Sequence, residues 1–522
     1  MGSPPFRWTS SALVPSLVVA LLLSACAHQD PTKPLAASST RPAPADAYQF
    51  ANRLTWGANL AAFDQAEAKG LPGYLAQQLR PGPATLPPAV QQQIAAMTIS
   101  QQPLVQLATD MEKRQKDVNA TFANDDDKKA AQQAYQQEMN RLGREAATRH
   151  LLRALYSPNQ VQEQMTWFWL NHFNVHLYKA NLRALVGDYE DSAIRPHALG
   201  KFRDLLGAVA HHPAMLRYLD NEQNAAGSIN ENYARELMEL HTLGVGSGYS
   251  QQDVQEMARI LTGVGYSFNP DAPKLRKELQ ADYVRNGLFE FNPNRHDYGP
   301  KTLLGQPIHS RGLAEMDEAL DRLARHPATA HFISRKLAQY WLSDNPPPAL
   351  VERMAQSFLH SDGDIAVTLN TLLSSPEFAQ GAGQKFKDPM HYVVSAVRLA
   401  YDDKPILNVG PMLNWLNRMG EPLYGHQTPD GYALDTGAWA SPGQMATRFE
   451  IAKAIGSGNA GLFKTDGPQP LEKPAFPQLA NALYYRAVAQ TLGVNTQQAL
   501  AQATSPQEWN SFLLSSPELM HR

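Results

Sequence analysis

The chain has 522 residues, of which 43% are hydrophobic, so it can form one large globular core or two smaller ones. Its formal net charge of −3 provides no basic field, which speaks against nucleic acid as a partner. A single cysteine excludes an intramolecular disulfide bond.

The N-terminal residues predict export rather than a part of the fold. A positive Arg7 precedes the apolar run ALVPSLVVALLL, which is too short for a comfortable membrane span and is typical of a signal peptide over residues 1–25. The run leads into LSAC, which resembles a bacterial lipobox whose cysteine carries lipid after cleavage. We therefore predict a lipoprotein anchored to the membrane through Cys26, with a plain secretory signal as the alternative. By resemblance to Gram-negative lipoproteins, the lack of an aspartate after the cysteine favours the outer membrane of the cell envelope.

The segment after the cysteine, residues 26–47, is rich in Pro, Ala, Ser and Thr and predicts a flexible tether. Residues 48–522 are expected to form a single large α-helical domain. We predict a mainly α fold, a multi-helical core of helix–turn–helix units with long irregular loops and at most a few short strands. The first amphipathic stretch predicts two short helices broken at Gly70 and Pro72.

Residues 104–148 are charged and rich in Gln, Ala and Lys, and predict a helical arm shaped as a hairpin or a coiled coil. Its NDDDKK segment is expected to be a solvated turn or a capping stretch. Two His-Pro pairs, in AVAHHPAM and RLARHPAT, predict joints between helices.

Few segments have the pattern of strands. We predict an irregular layer over 263–310, in which YVRNGLFEFNPNRHDYGP holds two short strands and KTLLGQPIHS forms a small hairpin or loop. A second loop-rich layer is expected over 400–450, where Gly, Pro and aromatic residues are frequent.

The first candidate site lies in MTWFWLNHFNVH. His172 and His176 are four residues apart, so on a helix they share one face and can bind one metal ion. The aromatic neighbours indicate burial, so the alternative is a pair of core histidines satisfied by the backbone or by Asn171.

The second candidate, SINENYARELMELHTLG, predicts a helix over 229–242 with a capping box formed by Ser228 and Glu231. Glu236 is a candidate catalytic carboxylate on one face, whereas His241 falls on the opposite face. The alternative is a solvated acidic face with a core histidine.

The third candidate is the loop DNEQNAAGSINE, whose ends, Asp220 and Glu231, are candidate metal ligands. The spacing of its oxygen-bearing residues echoes an EF-hand calcium loop, although Ala225 stands where that loop requires glycine. The alternative is an Asn-rich loop that binds its own backbone.

The fourth candidate is NRHDYGPKTLLG, in which His296 and Asp297 are adjacent and Lys301 is nearby. A carboxylate beside an imidazole can serve acid–base catalysis, and a turn held by side-chain hydrogen bonds is the alternative. No nucleophile elbow, P-loop, HExxH or CxxCH motif is present in the sequence.

Several of these segments occur in one order that resembles a known family. FWLNHFNVH, NENYARELMELHTLG, HDYGPKTLLG, RHPATAHFISRKLAQYWL and KFKDPMHYVVSAVRLA are similar to the bacterial domain of unknown function 1800 family, over about 52–522. The resemblance implies an exported protein and a possible exported sulfatase-like partner protein, and it implies no activity, cofactor or substrate.

Three functions follow from the sequence. In the first, the chain is a metal-dependent hydrolase of an envelope or extracellular polymer, with a divalent metal cation as cofactor. Its candidate catalytic residues are Glu236, His296 and Asp297, and its candidate metal ligands are His172, His176, Asp220, Glu231 and His241. The alternatives are a non-enzymatic envelope scaffold that binds partners, and a haem- or metal-binding redox protein.

Overall fold

The structure is a computed structural model that describes residues 42–120, 124–402, 404–464 and 476–522. The predicted signal peptide, Cys26 and most of the predicted tether lie outside the described residues. All described residues belong to one compact unit. Among the described helices, none combines the length and the apolar character that a membrane crossing requires.

The N-terminal third of the described chain is helical. Its helices are α1 (Pro44–Leu54), α2 (Leu60–Leu79), α3 (Pro88–Ala95), α4 (Thr98–Gln101), α5 (Leu104–Asn119), α6 (Asp125–Tyr156) and α7 (Gln160–His172). The first helix therefore begins before Tyr48, where the fold was expected to start. The predicted break in the second segment is confirmed, because Gly70 interrupts α2 with φ 69° and ψ 158°, a conformation that glycine adopts readily.

The charged arm consists of α5 and α6, which pack against each other through a small apolar cluster of their own. The cluster contains Leu107, Met111, Tyr135, Met139 and Leu142, together with Ala184. Asn124 Oδ1 accepts a hydrogen bond from the Asp127 backbone N–H at 2.8 Å and caps α6. The capping interpretation of NDDDKK is thereby confirmed.

Helix α7 lies inside the core. All its residues except Gln162 are buried, including Trp167, Phe168 and Trp169. A helix that is buried on every side contacts other elements all round. The polar residues at its C-terminal end, Asn171 and His172, are therefore buried as well.

The middle of the chain has shorter helices and the strands. The helices are α8 (Val186–Asp188), α9 (Phe202–His211), α10 (Pro213–Tyr218), α11 (Asn232–Glu239) and α12 (Gln251–Ile260). Strands β1 (Val264–Tyr266), β2 (Val284–Asn286) and β3 (Phe289–Phe291) form an antiparallel sheet in the order β1-β3-β2, and β4 (Thr302–Leu303) pairs with β5 (Gln306–Pro307). Residue Tyr266 lies opposite Phe289, and Val284 opposite Phe291. The two strands and the hairpin predicted within 263–310 are confirmed.

The C-terminal part is again helical. Its helices are α13 (Leu313–Ala324), α14 (Pro327–Trp341), α15 (Pro348–His360), α16 (Ile365–Leu373), α17 (Pro376–Gln380), α18 (Pro389–Tyr401), α19 (Gly410–Arg418), α20 (Pro442–Gly456), α21 (Ala489–Thr491), α22 (Val494–Gln502) and α23 (Pro506–Leu514). Within the predicted loop-rich layer over 400–450, the structure has α19 and the first part of α20, and the segment 419–441 that joins them is largely irregular. The predicted mainly α fold with a few short strands is confirmed.

Both His-Pro pairs form helix joints, as the sequence predicted. His212 Nδ1 accepts from the Ala214 N–H at 3.1 Å at the start of α10, and His326 Nδ1 accepts from the Ala328 N–H at 3.1 Å at the start of α14. In each helix the proline takes the first turn, where no N–H is needed.

Candidate functional site

The site begins where α7 ends. His172 is the last residue of the helix, and the Phe173 N–H still bonds to the Trp169 carbonyl at 2.8 Å. The chain then leaves the helix, and the Leu177 N–H pairs with the Tyr424 carbonyl at 2.9 Å. The prediction that His172 and His176 share a helical face is therefore wrong, because the chain leaves the helix before His176.

His172 makes two defined hydrogen bonds in a buried position. Its Nε2 atom lies 3.1 Å from the His241 carbonyl oxygen, and its Nδ1 atom lies 3.0 Å from Lys336 Nζ. A carbonyl accepts and an ammonium donates, so Nε2 carries the proton and Nδ1 is the acceptor. Burial holds the pKa of His172 well below its ordinary value, with a further effect from the Lys336 charge, so the imidazole is neutral.

Lys336 is the unusual cation of this region. It lies on α14, is partly buried, and makes no ion pair within the described part of the chain. Burial lowers the pKa of Lys336 to about 8, against the opposing charge of Asp430. By contrast, the buried Lys301 and Lys385 each face a carboxylate at 2.6 Å, Glu315 and Asp344 respectively.

His241 lies next to this pair. Its ring centroid is 6.2 Å from that of His172, and its side chain has no exposed surface. Neither of its ring nitrogens has a hydrogen-bond partner among the described residues. Burial lowers the pKa of His241 to about 3, with a smaller effect from Lys336.

Helix α11 is shorter than predicted and starts differently. It covers Asn232–Glu239 rather than 229–242, and the predicted capping box is wrong because Ser228 instead closes a tight turn with Ala225. The Asn230 side chain accepts from the Asn232 N–H at 3.0 Å in its place. At the other end, the His241 N–H bonds to the Glu236 carbonyl at 3.0 Å, a wide turn that carries the imidazole into the core.

Glu236 is half-buried on α11. Its carboxylate makes no hydrogen bond or ion pair with any other described residue. Burial raises the pKa of Glu236, with Glu239 and Asp430 adding to the shift and Arg235 opposing it. A carboxyl group with a raised pKa is better suited to donate a proton than an ordinary one.

Asp430 is supplied by the loop between α19 and α20. Its carboxylate contacts Thr428 and, at 3.3 Å, His426 Nε2. Although burial works in the other direction, these hydrogen bonds hold the pKa of Asp430 below its ordinary value. The charge of Asp430 acts on Lys336, Glu236 and Tyr218, and so links the loop to α14, α11 and α10.

The loop is fixed to the end of α7 by two asparagines. Asn174 Nδ2 donates to the carbonyls of His426 at 3.0 Å and Thr428 at 2.8 Å. Asn171 donates to the Tyr432 carbonyl at 2.9 Å and accepts from the Tyr432 N–H at 2.6 Å. The Asn-His-Phe-Asn segment therefore holds Lys336 and the Asp430 loop at one place.

The remaining predicted metal ligands are engaged elsewhere. Asp220 pairs with Lys179 at 2.7 Å, and Glu231 pairs with Arg235 at 3.0 Å. Asn224 donates to the Ala258 carbonyl at 2.8 Å, as expected of a loop that binds backbone. In the described residues, no group of three or more His, Cys, Asp or Glu side chains is arranged to hold a metal ion.

His296 and Asp297 also lie in a separate network. His296 Nε2 contacts Glu315 at 3.2 Å, and Asp297 pairs with Arg259 at 2.8 Å rather than with its neighbour. Hydrogen bonds from Arg259, first of all, lower the pKa of Asp297 to about 2. No contact among the described residues joins this network to His172 or Lys336.

The sequence interpretation missed Lys336 and Asp430. One signal was available for the lysine, because Lys336 stands between Ile333 and Leu337 on the apolar side of an amphipathic helix. Asp430 lies in the turn sequence TPDGY, which predicts a loop but no partner.

The fold and this site define a large helical protein in which a lysine–histidine contact lies beside an irregular loop. The family model described as "Protein of unknown function (DUF1800)" matches residues 49–521, so the chain belongs to that family. The resemblance drawn from the sequence motifs is thereby confirmed. No curated protein and no solved structure matches the chain.

Proposed function

We propose that the chain is an exported cell-envelope hydrolase that cleaves a polymer by acid–base catalysis at Lys336, Glu236 and Asp430. The observation that carries the proposal is the 3.0 Å contact between Lys336 Nζ and His172 Nδ1. Lys301 and Lys385 each pair with a carboxylate, whereas Lys336 faces a neutral imidazole that can exchange a proton with it.

The electrostatics of the two carboxylates support this proposal. The pKa of Glu236 is raised by burial and by its acidic neighbours, whereas hydrogen bonds lower the pKa of Asp430. Two carboxyl groups with opposite shifts can act as an acid and a base at one pH. Lys336, with a pKa of about 8, can exchange a proton near neutral pH.

The test uses the chain without its predicted signal peptide and lipid. We expect soluble fragments to be released from purified peptidoglycan, envelope polysaccharide or envelope protein, and Lys336→Met to reduce that rate about 100-fold or more. The control is Lys129→Met, because Lys129 lies on the arm with 74% of its side chain exposed. Binding without cleavage, unchanged by Lys336→Met, would favour the non-enzymatic scaffold.

A divalent cation as cofactor, predicted from the sequence, is an additional part of the proposal. Among the predicted ligands, His241 has two ring nitrogens without partners in the described chain, and this favours a metal-dependent alternative. Metal analysis of the purified protein tests it, with His241→Ala as the comparison variant. Stoichiometric metal that disappears in the variant would support the alternative, and a Soret band would favour the haem protein.

Location and partner are further parts of the proposal. We propose a lipid on Cys26 that holds the mature protein at the outer membrane, supported by the LSAC sequence before the Pro-rich tether. Mass spectrometry of the mature N-terminal peptide, compared with Cys26→Ser, tests the lipid. Co-purification from detergent extracts tests the proposed sulfatase-like exported partner.

A further inference from the structure

We propose that Lys336 is a nucleophile, and that it forms a covalent imine with an aldehyde or ketone carbon of its substrate. The proposal rests on the proposed function and adds a substrate class, compounds that offer a carbonyl carbon to the site.

The first argument is the partner that Lys336 has. Its nitrogen lies 3.0 Å from His172 Nδ1, a neutral acceptor, and no ion pair holds it among the described residues. A carboxylate would hold the lysine in the ammonium form through its charge, whereas a neutral imidazole carries no charge and can accept one N–H from the free amine as well as from the ammonium. The lone pair of that amine then points away from His172 and is available for attack.

The second argument is the fixed orientation of His172. Its Nε2–H donates to the His241 carbonyl at 3.1 Å, so the Nδ1 lone pair must face the lysine. The ring is packed at 4.6 Å from Phe173 and stacked with Phe168 at 6.2 Å between centroids, which prevents it from turning. His172 is therefore a positioning residue for the amine.

The third argument is access. Lys336 keeps part of its surface exposed, whereas Lys387, which also contacts a neutral acceptor, the Ser395 hydroxyl at 3.1 Å, is only 4% exposed. Lys336 is therefore the more accessible of the two lysines to a carbonyl compound. The carboxylate that acts on Lys336 is Asp430, whose side chain is 62% exposed, whereas the one that acts on Lys387 is the buried Asp388.

The step is balanced without an oxidant or reductant. The Nζ electron pair forms a bond to the carbonyl carbon, and the carbonyl π electrons move to oxygen. Two protons leave the nitrogen and both end on that oxygen, with Asp430 and solvent as carriers. The oxygen departs as one water molecule as the C=N bond forms, and water later hydrolyses the imine and restores the amine.

The experiment traps the imine. The chain is incubated with glycolaldehyde and sodium cyanoborohydride at pH 7, digested, and mapped by mass spectrometry. We expect Lys336 to be labelled at least 10-fold faster than Lys129, although Lys129 is the more exposed lysine, and Lys387 to stay unlabelled in the folded protein. Equal rates at Lys336 and Lys129, or labelling of Lys387 as fast as Lys336, would overturn the proposal.

A pair of variants tests the role of His172. His172→Phe removes the acceptor and is expected to lower the labelling rate of Lys336 about 10-fold. His172→Asn is expected to restore most of it, because the amide oxygen can stand near the position of Nδ1. Circular dichroism checks that both variants fold. If they do not, the labelling rates of Lys336, Lys129 and Lys387 in the unaltered chain still test the proposal.

The outcomes separate this inference from the proposed hydrolase. Suppose that Lys336→Met loses polymer cleavage but Lys336 of the unaltered chain is not trapped. That result would support acid–base hydrolysis and overturn the imine. Selective trapping without polymer cleavage would support the imine and overturn the hydrolase.

Discussion

Gly431 lies against Asn171 so closely that a Cβ atom added to the glycine would stand 2.1 Å from the Asn171 carbonyl oxygen. Gly431 also has φ +76°, in the left-handed region that disfavours other residues. This contact brings the loop that carries Asp430 onto the end of α7, where Lys336 meets His172.

We predict that Gly431→Ala destabilises the protein by roughly 3 kcal/mol or more, because the backbone oxygen of Asn171 cannot move aside without distorting α7. Urea denaturation measures the loss, and limited proteolysis within 419–441 reports release of the loop. The matched control is Gly420→Ala, where φ is +82° but nothing lies within 4 Å of the added atom. It should cost only about 1 kcal/mol. Equal losses in the two variants would show that the close approach to Asn171 does not matter.

A second prediction concerns the acid limit of stability. Glu190 is buried, contacts His150 Nδ1 at 3.1 Å and accepts a hydrogen bond from Tyr424. Although burial opposes it, the charge of His150 and these hydrogen bonds lower the pKa of Glu190 to about 2. A carboxylate with a lowered pKa stabilises the fold above its unfolded pKa of about 4.3, and that contribution is lost as the pH falls through the folded value.

Glu190→Gln should therefore lose about 3 kcal/mol at neutral pH and show a shallower fall in unfolding free energy between about pH 4.3 and about pH 2. Urea denaturation at a series of pH values measures both effects. Glu138→Gln is the control, since Glu138 pairs with Arg141 at 2.7 Å on the exposed arm and should change stability by less than about 1 kcal/mol. An unchanged acid slope in Glu190→Gln would contradict the prediction.

A third prediction separates a structural role from a catalytic role for the His-Asp loop. Asp297 Oδ2 accepts from Arg259 Nε at 2.8 Å and its Oδ1 accepts from the Gly299 N–H at 2.8 Å, so it ties the loop to α12. Asp297→Asn should cost about 2 kcal/mol in stability and leave polymer cleavage within about 2-fold of the unaltered chain. The control is Asp362→Asn, because Asp362 and its partner Arg325 are 63% and 62% exposed. A large loss of cleavage with unchanged stability would restore the catalytic interpretation of Asp297.

Most of the secondary structure could be predicted from the sequence, because the patterns that determine it lie within a few neighbouring residues. A proline after a histidine fixes the start of α10 and of α14, and the weak alternation in YVRNGLFEFNPNRHDYGP predicts two short strands, since both patterns act within a few residues. The start of α11 was misplaced for a physical reason. Ser228 has a competing partner, the Ala225 carbonyl, that the capping pattern does not reveal.

Only part of the site could be predicted from the sequence, because its contacts join residues that are distant in sequence. The segment around His172 was singled out, but the contact that defines its chemistry joins residues 164 positions apart, and the partner is a lysine rather than a metal ligand. Asn171 and Tyr432 are 261 positions apart. Spacing along one segment cannot give such pairs. Residue type alone assigned Asp220 to a metal ion, whereas its partner is Lys179, 41 positions away.

The last prediction concerns Asn174, which fixes the part of the loop that presents Asp430. Its amide donates to the carbonyls of His426 and Thr428, and a carboxylate of the same shape would face both oxygens without a proton to give. Asn174→Asp should therefore lower stability by about 2–3 kcal/mol and reduce polymer cleavage about 10-fold or more. Hydrogen exchange of the amides in 426–430 should become faster, because the loop loses its attachment to α7. Asn159→Asp is the comparison, since Asn159 donates at 2.7 Å to the Gly82 carbonyl on an exposed surface. It should leave cleavage and exchange in the loop unchanged. Faster exchange without any loss of cleavage in Asn174→Asp would mean that the position of Asp430 is not needed for the reaction.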